Sequence, residues 1–234
     1  MKHIGLMGRV GVGFFVSTVM PLVLMFLMFH GDITMSTNMA ILILAGLFLI
    51  CWIYMGIVRP VDELKAAAKR LEDAGADILL MPCNTAHYFY PAIQASTKCP
   101  ILHMLRLTAE EIKSRGHIKV ALLATDGTVK TGIYAKLFEE YGIDYMLPEP
   151  EEQRLVMSMI YDGIKADNEQ YFDTEPIKAA LRAMQQRGAD AFVLGCTELP
   201  IAFDDFELDF PTVDPTRVLA KNAVLAAGYE LKTK

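Results

Sequence analysis

An internal repeat constrains the fold of this chain more than any other feature of its sequence. Two segments with the same succession of elements lie 113 residues apart, and each contains a helical pattern, a glycine, a short apolar strand and a cysteine. The matched pairs are Leu64–Ala67 with Ile177–Ala180, Gly75 with Gly188, and Cys83 with Cys196. The repeat therefore predicts two related α/β halves, each with a thiol at the carboxyl end of a buried strand.

The segments around the repeats alternate between apolar strands and amphipathic helices. Strands are predicted at 78–81, 117–125, 143–147, 191–194 and 210–213, and helices at 130–141, 151–166 and 175–187. Asp214-Pro215 predicts the N-cap and first turn of one more helix. This alternation is typical of parallel sheets flanked by helices, with ligands beyond the carboxyl ends of the strands.

We expect an α/β fold made of two pseudo-symmetric lobes. Residues 61–104 together with 208–234 are assigned to the first lobe, which is incomplete, and residues 105–207 to the second. An α-helical hydrophobic hairpin, residues 1–60, precedes the first lobe.

The predicted hairpin consists of two apolar runs, Val10–Phe29 and Met39–Val58, each 20 residues long and without an Asp, Glu, Lys, Arg or His side chain. That length suffices for a helix to cross the hydrocarbon core of a membrane. Lys2, Arg9 and Arg59 flank the pair, so the positive-inside rule places both ends in the cytoplasm, with the remaining domain anchored at the inner or plasma membrane. In the alternative interpretation, both runs are buried core helices of a soluble fold.

Charge and cysteine content exclude several classes of function. The net charge of −6 argues against a nucleic-acid partner, and residues 61–234 carry 19 basic and 27 acidic side chains. Four cysteines, none in C-x-x-C spacing, are too few for a disulfide scaffold and do not form a typical zinc motif. No metal site is therefore predicted.

The two repeated cysteines carry the chemistry that the sequence suggests. Each lies between a strand end and a helix start, where unpaired backbone N–H groups are expected to favour the thiolate. Asn84, Thr85 and Thr197 are short donors that could hold a carboxylate. A thiol and a thiolate on opposite faces of a carbon can remove a proton from one side and return one to the other, which inverts that centre.

Two motifs resemble the active-site motifs of the aspartate/glutamate racemase family. They are Cys-Asn-Thr-Ala-His at 83–87 and Gly-Cys-Thr-Glu-Leu-Pro at 195–200. Glu198 follows the second Cys-Thr, where glutamate racemases usually have histidine. The second motif therefore resembles that of the aspartate racemase branch. The segments 124–128 and 161–165 resemble that branch as well.

The resemblance implies a cofactor-independent amino-acid racemase, acting on aspartate or glutamate, with its site between two lobes and a homodimeric assembly. Cys83 and Cys196 would be the two catalytic acid/base groups. Lys165 would bind the distal carboxylate. The remaining groups implied for the α-carboxylate and the amine are Asn84, Thr85, Thr125, Thr128 and Thr197. His87 would either orient the site or pack.

The amino-terminal part departs from the family pattern. Met1–Gly8 resembles the first strand and turn of the family, but the hydrophobic runs replace the rest of that lobe, including a second strand and a substrate-binding arginine. Residues 57–64 resemble instead the second membrane helix of chemoreceptors and the linker that follows it. Weaker catalysis than in an intact relative is therefore expected. Two alternatives stay open: a membrane-tethered, non-catalytic amino-acid-binding or sensory module, and a two-thiol isomerase or decarboxylase of another small acid.

Overall fold

A computed structural model describes residues 35–232 of the chain. The chain divides into two compact units, of which the first ends at Ala67 and the second begins at Ala68. The predicted run Val10–Phe29 lies outside the described residues.

The first described helix, α1, covers Met35–Ile53, and it continues through a π-helical turn, Tyr54–Val58, into α2, Arg59–Asp73. Among residues 35–232, the segment Ile41–Asp73 is the one helix that is long and apolar enough to span a membrane by length and composition. Leu44 and Ile50 in this helix are each 65% exposed.

The second unit alternates strands with helices, as the sequence predicts. The strands are β1 Leu79–Leu80, β2 Ile101–Leu102, β3 Lys119–Leu123, β4 Asp144–Met146, β5 Ala191–Leu194 and β6 Thr212–Val213. The helices are α3 Tyr90–Gln94, α4 Met104–Ser114, α5 Asp126–Thr131, α6 Ile133–Tyr141, α7 Pro150–Ser158, α8 Glu175–Gln186, α9 Leu199–Asp205 and α10 Pro215–Ala226. Short 3₁₀ turns cover Thr85–Phe89 and Glu169–Tyr171, and a π-helical turn covers Met159–Ile164.

All described strand pairs are parallel, which confirms the predicted fold class. β1 pairs with β2, and a second sheet has the order β4-β3-β5-β6. β6, which the sequence assigns to the first lobe, pairs with β5. Helix α10 packs on α4 and also approaches β2. The division into two lobes stays a prediction.

The core of the second unit lies on both faces of the four-stranded sheet. Leu123 and Phe192 pack with residues of α7, α8 and α9 on one face. Leu122 and Val193 pack with residues of α4, α6 and α10 on the other face. Because successive side chains of a strand point to opposite faces, the continuous apolar run of β5 fills both layers.

Two predicted helices are interrupted in the structure. The helix predicted at 130–141 is broken by Gly132, which adopts a left-handed φ of 64° between α5 and α6. The helix predicted at 151–166 changes to π-helical geometry after Ser158. There the position of a Cβ on Gly163 would lie 3.1 Å from Phe206 Cζ, so only glycine lets the Phe172–Phe206 stack approach so closely.

Candidate active site

The loop after β1 holds Cys83 at the surface through its backbone. The Cys83 thiol is exposed, and the Cys83 carbonyl lies 2.8 Å from His87 Nδ1. His87 Nε2 accepts the Met104 N–H at 3.1 Å, so Nδ1 carries the proton and donates to Cys83. Burial lowers the pKa of His87, which keeps the imidazole neutral. His87 therefore orients the Cys83 loop as well as packing.

Asn84 is buried beside Cys83 and is fixed by a residue that the sequence did not suggest. The Tyr134 hydroxyl donates to Asn84 Oδ1 at 2.6 Å. Burial, together with the charge of Asp214, raises the pKa of Tyr134, so this hydroxyl stays a donor. Asn84 Nδ2 is buried with no hydrogen-bond partner in the described part of the chain. Such an unpaired amide is costly, and a carboxylate ligand would satisfy it.

A chain of three hydroxyls joins the loop after β1 to the loop after β3. Thr85 Oγ1 lies 2.8 Å from Thr128 Oγ1, which in turn lies 3.3 Å from Thr125 Oγ1. Thr125 is the N-cap of α5 and accepts the Thr128 N–H. Three of the predicted binding residues are thus brought together by direct contact.

The loop after β5 lies next to the loop after β3 at the same edge of the sheet. Leu123 pairs with Leu194. Thr125 and Cys196 each lie two residues after a member of this pair. The Gly195 N–H donates to the Leu123 carbonyl at 2.7 Å. A Cβ on Gly195 would lie 3.0 Å from both Ala124 Cβ and the Leu123 carbonyl oxygen, so glycine is needed for this approach.

Cys196 is partly buried and donates its thiol proton to a carboxylate. Cys196 Sγ lies 2.8 Å from Glu198 Oε2, which also accepts the Thr197 hydroxyl at 3.1 Å. Burial and this carboxylate together raise the pKa of the Cys196 thiol to about 12. The Glu198 backbone N–H favours the thiolate, as expected, but burial and the Glu198 carboxylate outweigh it, so the prediction of a favoured thiolate is wrong for Cys196.

Lys165 completes this group from the end of the π-helical turn. Its Nζ lies 3.3 Å from Glu198 Oε1 and 4.5 Å from the centre of the Tyr161 ring. Although partial burial acts in the opposite direction, the Glu198 charge raises the pKa of Lys165. Burial likewise opposes the shift at Glu198, but the Cys196 thiol and the Lys165 charge lower the pKa of that carboxyl.

Two further groups near the loops are not predicted from the sequence as site residues. In the sequence, Glu198 indicates only the racemase branch, although the Cys-Thr-Glu spacing places its carboxylate within reach of the thiol. Gln153 Nε2 donates to the Ala124 carbonyl and to Asp126 Oδ1, both at 3.0 Å, and so holds the loop after β3. No sequence signal links Gln153 to that loop.

The described contacts do not link Cys83 and Cys196 directly. A cavity of about 370 Å³ begins next to the Cys196 loop at Leu194 and Pro200, and one of about 560 Å³ reaches His87. Neither is lined by a cysteine. Among residues 35–232, no cluster of three His, Cys, Asp or Glu side chains could hold a metal ion.

The fold and site together define a parallel α/β domain with a cysteine loop at the carboxyl end of a strand in each of its two sheets. Residues 56–223 match the Asp/Glu/hydantoin racemase family. The chain belongs to that family.

Individual relatives agree with this assignment. The broad specificity amino-acid racemase RacX of Bacillus subtilis is 30% identical over 172 residues, which cover 71% of this chain and 74% of RacX. Aspartate racemase of Picrophilus torridus superposes with a TM-score of 0.63 at 31% identity, covering 74% of this chain and 71% of that structure. An aspartate racemase homologue from Pyrococcus horikoshii gives 0.65 at 28% identity, covering 74% and 76%. The comparisons do not favour the non-catalytic module.

Proposed function

We propose that this protein is a cofactor-independent racemase of aspartate or glutamate, with Cys83 and Cys196 as the two acid/base groups. The hydroxyl chain Thr85–Thr128–Thr125 is the observation that carries the proposal. It ties the Cys83 loop to the loop after β3, which is the strand neighbour of the Cys196 loop. A small amino acid held by these hydroxyls would have one cysteine loop on each side.

In one direction, Cys83 acts as the base and Cys196 as the acid. The Cys83 thiolate takes the α-proton, so the C–H bond breaks and an S–H bond forms. The resulting carbanion takes the proton of the Cys196 thiol on its opposite face. Glu198 keeps this thiol protonated at rest, at a distance of 2.8 Å. In the reverse direction, Cys196 must first lose its proton to solvent, a step that the neighbouring Glu198 carboxylate opposes because like charges repel each other.

The side chains around the two sulfurs supply the groups that hold the substrate. Asn84, Thr85, Thr125, Thr128 and Thr197 would bind its α-carboxylate and amine. Donors fixed before the reaction stabilise the charge that develops on the carboxylate in the transition state. Lys165 would bind the distal carboxylate, since its ammonium is partly exposed beside Glu198. An ion pair between Lys165 and the distal carboxylate favours an acidic amino acid as the substrate. The aspartate racemase from Picrophilus torridus among the structural neighbours agrees with this choice.

Proton exchange with solvent tests this proposal. L-aspartate, L-glutamate and L-alanine are incubated with the full chain in deuterium oxide, and α-deuterium is followed by NMR. We expect exchange with an acidic amino acid, its loss in C83A and in C196A, and normal exchange in the control C51A. Exchange that survives both active-site substitutions, or no exchange with any of the three amino acids, would refute the two-cysteine racemase.

A further inference from the structure

The larger cavity offers a second binding site that the proposed reaction does not use. It measures about 560 Å³, within the range of about 300–1,000 Å³ typical of small-molecule sites. One wall carries rings, His87, Tyr90 and His103, and the opposite wall is formed by α6, with Ile133 and Leu137. We call this cavity the aromatic groove.

The rings of the aromatic groove pack against one another. The centroids of Tyr90 and His103 lie 4.3 Å apart with the rings tilted by 51°, and the rings of His87 and Tyr90 are parallel to within 6° at a centroid distance of 6.0 Å. Tyr90 is anchored because its hydroxyl donates to the Ile101 carbonyl at 3.1 Å. Flat, preorganised ring faces bind a planar apolar body by stacking.

Both histidines in the wall are neutral, and one retains a donor. His87 and His103 each accept a backbone N–H from the first turn of α4, through Nε2 and Nδ1 respectively. A nitrogen that accepts cannot carry a proton, so the remaining proton of His103 is on Nε2. This N–H has no hydrogen-bond partner in the described part of the chain and is available to an acceptor in the groove.

The charges that line the aromatic groove favour an anion. Arg106 and Lys136 both line it and are exposed, and neither forms an ion pair with any residue of the described part of the chain. Glu140 is the one carboxylate in the lining. The lining therefore carries one net positive charge beside the aromatic wall.

We infer that the aromatic groove binds a planar aromatic carboxylate. Its ring would stack on Tyr90, and its carboxylate would pair with Arg106 and Lys136. The ligand would also contact His87, which holds the Cys83 carbonyl.

Indole-3-acetate is the probe, and two further molecules test the contributions of its ring and its carboxylate separately. Tryptamine has the same ring with an ammonium group, and acetate has the carboxylate without a ring. Binding to the full chain is measured by isothermal titration calorimetry, with and without saturating L-aspartate. Of these three molecules, we expect indole-3-acetate alone to bind saturably and with 1:1 stoichiometry. L-aspartate should not change this binding. The variant R106Q/K136Q is expected to weaken this binding about tenfold or more, about 1.4 kcal/mol, whereas K178Q on the distant helix α8 leaves it unchanged.

Three results would overturn the inference. Equal binding of tryptamine would show that charge does not matter, and unchanged binding in R106Q/K136Q would place the ligand elsewhere. Competition by L-aspartate would place it at the cysteines. The measurement needs no turnover, so its failure is distinguishable from failure of the proposed racemase.

Discussion

The two candidate catalytic thiols have different environments. Cys83 is exposed, whereas Cys196 is partly buried and donates to Glu198. The repeat predicts two equivalent cysteines, but the residue two positions after Cys196 makes them unequal. A two-base racemase needs one protonated and one free thiol in each half-reaction, and this asymmetry favours the form with Cys196 protonated.

Replacing Glu198 by glutamine tests this asymmetry. Without the carboxylate, we expect the pKa of Cys196 to fall from about 12 toward that of an ordinary thiol. We also expect α-proton exchange by the Cys196 thiolate to reach its maximum at a lower pH, because this thiol would ionise more readily without the carboxylate. Thiolate absorbance is titrated in a C51A/C83A/C99A background, which retains Cys196 alone of the four cysteines. The matched control T197V removes the hydroxyl but keeps the carboxylate, so its titration should resemble the parent. Identical titrations for E198Q and the parent would contradict the assignment.

A second prediction at the residue scale concerns the close approach of β3 and β5. G195A places a Cβ 3.0 Å from the backbone oxygen of Leu123, so the strand end must shift. Overpacking of this kind costs about 1–3 kcal/mol of unfolding free energy, and the Cys196 loop would move with it. Urea denaturation and deuterium exchange measure the two effects. In the control G127A, the nearest atom is Thr125 Oγ1 at 3.9 Å, so stability should be kept. Equal stability of G195A and the parent would refute the steric argument.

At the scale of single elements, α4 begins in an unusual way. Imidazole nitrogens of two histidines accept its first backbone N–H groups, and the two rings lie 5.0 Å apart. Burial, the neighbouring His87 and Arg106 lower the pKa of His103 from 6.5 to about 4. Since the helix start needs neutral rings, protonation must disrupt it.

This cap makes stability depend on pH. The pKa of His103 is lower in the folded state than in the unfolded chain, so its contribution is complete above pH 6.5 and is lost as pH falls toward 4. H103N replaces it by an N-cap residue that does not titrate. We expect the unfolding free energy of H103N to fall less steeply over this window. Urea titrations at several pH values measure it, and parallel curves for both proteins would contradict the prediction.

Local patterns predicted the elements that depend on local sequence. The strand predicted at 191–194 is observed as Ala191–Leu194, and Asp214 caps α10 as expected. The π-helical turn before Lys165 was not predictable, because it depends on Phe172 and Phe206 packing against Gly163.

The candidate site could likewise be predicted only where it depends on local sequence. The strand ends that carry the two cysteines follow from the repeat and the apolar runs. The partners of the site side chains come from the tertiary fold: Tyr134 bonds Asn84 from 50 positions away, and Gln153 reaches Ala124 from 29 positions away. Spacing in the sequence contains no signal for such pairs.

At the scale of the whole molecule, the helix before the racemase domain calls for a membrane test. The apolar part of Ile41–Asp73 is long enough to span a bilayer and is not buried. We expect the full chain to sediment with membranes, to resist extraction by high salt and alkali, and to dissolve in detergent. Full-length chain in the soluble fraction without detergent would contradict the membrane prediction.

Oxidative damage would fall unevenly on the two candidate catalytic sulfurs, because Cys83 is exposed whereas Cys196 is partly buried. Peroxide attacks accessible sulfur first and converts it to a sulfenic acid, which can no longer accept a substrate proton. Cys196, shielded by its surroundings, would survive the same treatment. Oxidation of the Cys83 sulfur alone would then stop turnover in both directions. A thiol reductant would restore activity as long as Cys83 had been oxidised only to the sulfenic acid.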